Sequence, residues 1–147
     1  MPEVKVGIRQ KRSVLARAHE CCEYCRSQQK YSSDPFALEH IVPRAAGGTS
    51  SLDNLALSCS GCNGHKFTHV FWTDNISGVE TSLFHPRNDK WWDHFEWSSD
   101  FTLILGLTAI GRVTVTVLQM NRIGLINLRQ VLFQAGKHPP DTMGQRT

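Results

Sequence analysis

The chain has 147 residues, 40% of them hydrophobic and 20% charged, with a formal net charge of +3. That length suits one domain, or a small domain with an extension, with enough apolar content to bury a core. No apolar run approaches the ~20 residues that span a bilayer, and residues 1–17 lack the apolar stretch of a secretory signal, so no membrane contact and a cytoplasmic location are expected.

The first 17 residues form a basic arm, in which Lys5, Arg9, Lys11, Arg12 and Arg17 face only Glu3. Ile8, Val14, Leu15 and Ala18 are spaced among these charges as on one face of a helix over 8–19. Residues 1–70 carry nine Lys/Arg against six Asp/Glu, and the remainder seven against seven. A basic excess confined to one half suits a polyanion, and equally an ordinary solvated face. The helix runs into Cys22-Glu23-Tyr24-Cys25, and the same two-residue spacing recurs at Cys59-Ser60-Gly61-Cys62. Five cysteines are not an even disulfide set, and without an export signal paired thiols more often bind metal. Four thiolates close a tetrahedral zinc site. Cys21 is the spare thiol; as a ligand in place of Cys22 it would need a longer knuckle.

Between the pairs, Ser32-Ser33-Asp34-Pro35 reads as a turn and 36–42 as a strand with His40 near its end, stopped by Pro43. Residues 45–53, rich in Gly, Ser and Thr, form a loop. Leu55 to Leu57 is a short second strand, and 60–70 a helix that starts at the second pair. From Phe71 the chain becomes aromatic. His94 to Trp97 and Phe101 to Leu105 pair as a hairpin around Ser98-Ser99-Asp100. Over 112–118, Val113, Val115 and Val117 fit a strand, whereas Ile110, Val113 and Val117 fit a helix face; Thr108 as a cap favours the helix. Asn121 is expected to cap a last helix with Leu125, Leu128 and Leu132 inside and Gly136 at its end. The aromatics around Trp91 and Trp92 are expected in the core rather than stacked on bases. The chain is therefore read as α+β, in three parts. Residues 1–70 form a core with a basic helix and cysteine knuckles, 71–138 an extension of a hairpin and two helices packed on it, and 139–147 a disordered tail.

Glu39 and His40 are adjacent on a strand and so point to opposite faces. One can hold a metal while the other reaches a different point of the same substrate. A Mg²⁺ prefers oxygen ligands, which Glu39 and the Asn63 side chain supply. A neutral His40 can take a proton from water attacking phosphorus. Arg44, Lys66 and the arm residues Arg9, Lys11 and Arg12 are candidate phosphate contacts. His19, His85, His94 and His138 receive no role.

The segment from Cys22 to Lys66 resembles an HNH endonuclease of the zinc-bearing kind. The residues that carry the resemblance are Glu39-His40, Pro43, Gly47-Gly48, Asn54-Leu55 and Cys59-x-x-Cys62-Asn63. The resemblance implies a ββα-metal (His-Me finger) fold with a structural zinc on Cys22, Cys25, Cys59 and Cys62, and DNA as partner and substrate. By position, His40 is the general base, Asn54 orients the loop and the imidazole, and Glu39 and Asn63 ligate a catalytic Mg²⁺, Mn²⁺ or Ni²⁺. Two departures stand out: Glu39 replaces the commoner Asp or His, and Asn63 replaces His. His65, with His69 nearby, is the alternative ligand, favoured if the ion is Zn²⁺ or Ni²⁺. Leu83-Phe84-His85-Pro86-Arg87 is similar to a tail on some short bacterial HNH proteins and implies no role. A homodimer would be the simplest route to cutting both strands. The alternative reading is a non-catalytic, zinc-containing nucleic-acid-binding module with the same fold and basic arm.

Overall fold

The computed structural model describes residues 6–143; Glu3 and Lys5 of the basic arm lie outside them. Helix α1 (Ile8–Arg17) opens where the backbone N–H of Gly7 donates to Gln10 Oε1 at 3.1 Å. It buries Val14, with Ala18 just beyond its end. His19 and Glu20 then take positive φ of 52° and 55°, which breaks the helical ladder and turns the chain into the first knuckle. Strand β1 (Ala37–His40) runs antiparallel to β2 (Leu55–Ser58), with His40 opposite Leu55. Helix α2 (Ser60–Lys66) follows, its N-cap Cys59 Sγ accepting the Cys62 N–H at 3.4 Å. This is the strand, loop, strand, helix order read from the sequence. α2 stops four residues earlier than expected because Phe67 adopts φ 50°, ψ −122°, which no helix continues. On one face of the two strands, Val14 and Ala18 pack against Leu55 and Leu57, with Phe36 and Leu38 at the margin.

The second half begins with a hairpin absent from the sequence reading, β3 (Phe71–Thr73) paired with β4 (Glu80–Ser82). All three β3 side chains are exposed, so no apolar alternation marks it. Its turn is built on Asp74, whose Oδ2 accepts from Ser77 N and Oγ at 3.0 and 2.7 Å. A bidentate pair with Arg112, 2.9 Å for each bond, ties the same carboxylate to the following helix.

A single helical turn, α3 (Trp91–His94), precedes β5 (Phe95–Trp97) and its partner β6 (Ile104–Gly106), so the expected hairpin starts one residue later than read. The ambiguous valine stretch is helical within α4 (Ala109–Leu118), and Thr108 Oγ1 caps it by accepting the Gly111 N–H at 3.1 Å. The same hydroxyl bonds His94 Nδ1 at 2.7 Å. A Cβ at Gly111 would collide with the His94 carbonyl, so glycine permits this approach.

Helix α5 (Ile123–Gln134) is not capped by Asn121 as expected; Arg122 holds the N-cap position without a side-chain bond. Asn121 instead accepts the Ile104 N–H at 2.8 Å and donates to its carbonyl at 2.9 Å, completing the hairpin edge. Leu125 is buried, while Leu128 and Leu132 are half-buried. Gly136, at φ 72°, closes the helix. His138 is buried against Trp97 and lies 2.9 Å from the Phe101 carbonyl, and Asp141–Met143 form a 3-10 turn. Residues 144–147 of the expected tail lie outside the described residues.

One core joins the halves. Tyr24, Phe84, Trp91, Phe95, Trp97 and Ile104 pack in the same cluster as the four knuckle cysteines, and Trp91 Nε1 donates to the Tyr24 carbonyl at 2.8 Å. The aromatic run around Trp91 thus lies inside, as composition suggested. The fold is α+β, with three small two-stranded sheets among the described residues, and no described helix is long and apolar enough to cross a membrane.

Candidate active site and its metal clamp

The sulfurs of Cys22, Cys25, Cys59 and Cys62 all lie within 4.8 Å of one another, and Cys25 and Cys59 are 3.6 Å apart. A tetrahedron with Zn–S arms of ~2.3 Å has edges of roughly 3.8 Å, whereas a disulfide needs ~2.05 Å. The spacing therefore fits a metal and not a bond. Four buried thiols, with no fifth ligand grouped with them among the described residues, suit a closed, structural metal such as zinc rather than a hydrolytic one. Hydrogen bonding from Cys22 holds Cys25 well below the ordinary thiol range, while burial pushes Cys22 up and hydrogen bonding from Cys22 pushes Cys62 up, so without a metal the four sulfurs share their protons unevenly. Cys21 stands apart, its thiol donating to the His19 carbonyl at 3.4 Å.

Arg122, from the far end of the chain, covers the second knuckle. Its Nη2 donates to Cys59 Sγ at 3.3 Å and its Nη1 to Cys62 Sγ at 3.7 Å. Burial works against the guanidinium charge, but the Cys62 sulfur and its neighbours outweigh it and raise the pKa above the ordinary value. Gly61 leaves room for this, since a Cβ there would run into the guanidinium.

The loop between β1 and β2 is locked by Asn54. Its Oδ1 accepts the Val42 N–H at 2.9 Å, and its Nδ2 donates to the carbonyls of Val42 at 3.0 Å and Thr49 at 2.7 Å. A Cβ at Gly48 would collide with the Val42 carbonyl, so the second glycine of the pair lets the loop close on the strand end. His40 sits at that end, half-buried, with Nε2 2.8 Å from Ser50 Oγ in the same loop. Gln10 of α1 donates to the Ser50 carbonyl at 2.9 Å, and Arg17 donates to that of Leu55. These bonds dock the basic helix beside His40, with Arg9, Lys11 and Arg12 exposed on it and Arg44 exposed at the loop's start.

Glu39 turns to the opposite face and is buried. Its Oε1 accepts from Lys66 Nζ at 2.8 Å and from Tyr24 Oη at 3.1 Å. Lys66, expected to touch phosphate, is instead buried and also donates to the Ile41 carbonyl at 2.8 Å. Lys66, three residues past Asn63 on α2, turns its side chain inward onto the buried Glu39 carboxylate. Burial pushes the Glu39 carboxyl above its ordinary range, and Lys66 and Tyr24 pull it back. Burial, then the Glu39 charge, raise the Tyr24 phenol, which keeps it a donor. The second oxygen, Oε2, is buried with no hydrogen-bond partner. That orphaned acceptor has the chemistry a cation needs, and Asn63, the second ligand expected from the sequence, is half-exposed on α2. His65 is exposed, further along α2.

The second half also reaches the site. His85 and Asn88 face Val42, Gly48, Thr49 and Asn54 across an open cleft of about 310 Å³. His85 Nδ1 accepts the backbone N–H groups of Arg87 and Asn88 at 3.2 Å each. Arg87 pairs with Glu23, whose other oxygen accepts the Leu57 N–H at 2.8 Å; burial and the nearby Arg17 lower Arg87 to about 10. The sequence singled out His40, Glu39, Asn54 and the four thiols as candidates. Tyr24 and Ser50 escaped it as spacer residues of the first cysteine pair and the glycine loop, and His85 and Arg122 because they reach the site from the second half of the chain.

Residues 22–68, about a third of the chain, match the family model described as HNH endonuclease. No curated protein and no solved structure matches the chain.

Proposed function

Residues 22–68 form a unit of the HNH endonuclease kind held by a four-cysteine cluster, and from that premise we propose that the chain hydrolyses phosphodiester bonds of DNA. The observation that carries the reading is the strand end. His40 is held by the loop that Asn54 locks, and Glu39 on the other face keeps one oxygen without a partner. His40 accepts a proton from a water whose oxygen attacks phosphorus, and the bond from phosphorus to the leaving sugar oxygen breaks. Glu39 Oε2 and the Asn63 amide oxygen are the groups that would hold a divalent cation, which when bound offsets charge developing on the phosphate and leaving oxygens. Asn54 acts on the loop rather than on substrate. Arg44, Arg9, Lys11 and Arg12 meet the phosphate backbone, and Lys66 fixes Glu39 from behind instead of touching DNA. The Cys22, Cys25, Cys59 and Cys62 zinc keeps this frame in shape and takes no part in the cleavage.

One observation favours a second reading. The Glu39 carboxylate already has an ammonium at 2.8 Å, as suits a nucleic-acid-binding module without catalysis. The two readings separate on supercoiled plasmid incubated with Mg²⁺, Mn²⁺ or Ni²⁺, alongside a His40→Ala protein. The endonuclease produces open-circle or linear DNA, and the variant loses roughly 10²- to 10⁴-fold in rate. Equal cutting by both proteins rejects His40 as base. Salt-dependent binding with no cutting under any metal selects the binding module.

A further inference from the structure

The loop that Asn54 locks also holds one particular nitrogen of His40. Ser50 Oγ lies 2.8 Å from Nε2 of the ring. Ser50 is itself fixed on two sides. Gln10 of α1 donates to its carbonyl at 2.9 Å, and the preceding Thr49 carbonyl accepts from Asn54 Nδ2 at 2.7 Å. The residue is therefore placed by Gln10 and Asn54, which lie far apart in sequence.

A serine hydroxyl can accept from an imidazole N–H or donate to an imidazole lone pair. The two cases give opposite tautomers. If Ser50 donates to Nε2, the ring proton sits on Nδ1 and the lone pair is spent on the protein. If Ser50 accepts, the proton sits on Nε2 and Nδ1 carries the lone pair, which is the form a base requires. A second group that sets the tautomer of a catalytic histidine is a general device.

We propose that Ser50 is a positioning residue for His40: its hydroxyl accepts Nε2–H and so assigns proton abstraction from water to Nδ1. Gln10 supports it at one remove, which links the basic helix to the geometry of the base as well as to DNA. The choice of tautomer and its catalytic use both rest on the endonuclease reading; the Ser50 hydroxyl at Nε2 does not.

The test uses the full chain with zinc bound, labelled with ¹⁵N, and reads the His40 ring nitrogens by long-range proton–nitrogen correlation at a pH where the ring is neutral. The wild type is expected to show Nε2 protonated and Nδ1 bare. Ser50→Ala is expected to mix the tautomers and to lower kcat roughly 10- to 100-fold with KM little changed. Ser50→Thr, which keeps the hydroxyl, is expected to restore both. Zinc content and near-ultraviolet circular dichroism confirm that each variant is folded. A wild-type ring protonated on Nδ1 overturns the proposal, as does a Ser50→Ala ring and kcat that match the wild type. If wild type cuts no DNA, the endonuclease reading fails while the ring spectrum still decides the Ser50 contact.

Discussion

The two halves of this molecule are held together by different means. In residues 22–68, Tyr24 is the one aromatic ring in the buried cluster, and the cysteine quartet and the Asn54 bonds do much of the work of shaping the segment. In the second half, Phe84, Trp91, Phe95 and Trp97 form a packed run of rings with centroids 5.2 to 5.5 Å apart. The difference follows from what each half must leave open. A strand end that presents the half-buried His40 cannot also be sealed in apolar side chains. A metal clamp fixes the loop without covering it, and the aromatic half supplies the buried surface that a short ββα unit lacks. Arg122 on the knuckle sulfurs and Trp91 on the Tyr24 carbonyl show that the two parts are not independent.

Removing the zinc gives the largest expected break in this comparison. Structural zinc in finger peptides contributes about 10–16 kcal/mol, as much as the whole stability of a typical domain, about 5–15 kcal/mol. Chelation, or Cys59→Ser, is expected to unfold the clamp and, through the shared core, to abolish the near-ultraviolet signal of Trp91 and Trp97. A tryptophan signal that survives chelation would instead show that the second half stands alone. Next in size is Trp91→Ala. It removes a buried ring and the bond to Tyr24, and is expected to cost about 3–5 kcal/mol in denaturant unfolding and to loosen zinc retention, measured by the rate of release to a chelator. Unchanged release would mean that the core does not support the clamp.

The smallest effect concerns Asp74, in the second half alone. Its bonds from Arg112 and Ser77 hold the carboxyl well below its ordinary value of 3.8. The folded state therefore binds that proton less readily than the unfolded one. The resulting stability is present above pH ~4 and is lost as pH falls through the depressed value. Asp74→Asn is expected to lower the melting temperature at neutral pH and to reduce the further loss below about pH 4. An acid limb identical to that of the wild type would remove Asp74 from the account.

Much of the first half was legible in the sequence because its signals are local. A two-residue spacing marks each knuckle, Pro43 stops a strand, and Gly47-Gly48 announces a loop. Thr108 resolved the valine stretch because a cap lies within one turn of what it caps. The misreadings involve partners remote in sequence. Asn121 has the right type for a helix cap but pairs with Ile104, because the hairpin edge offers it a donor and an acceptor together. Lys66 looked like a phosphate contact, since a lone lysine on a helix normally faces water. The strand β3 gave no pattern because none of its side chains is buried.

The sequence by itself determined the thiolate set, the order of the ββα unit and the identity of the histidine and carboxylate side by side, since covalent order and spacing carry all three. Only the tertiary structure decided which face each of them takes and who meets them there. Glu39 meets Tyr24 and Lys66, His40 meets Ser50, and the zinc knuckle meets Arg122. Such pairings depend on how a strand, a loop and two distant helices pack, and a buried charge accepts whichever opposite charge that packing brings within reach.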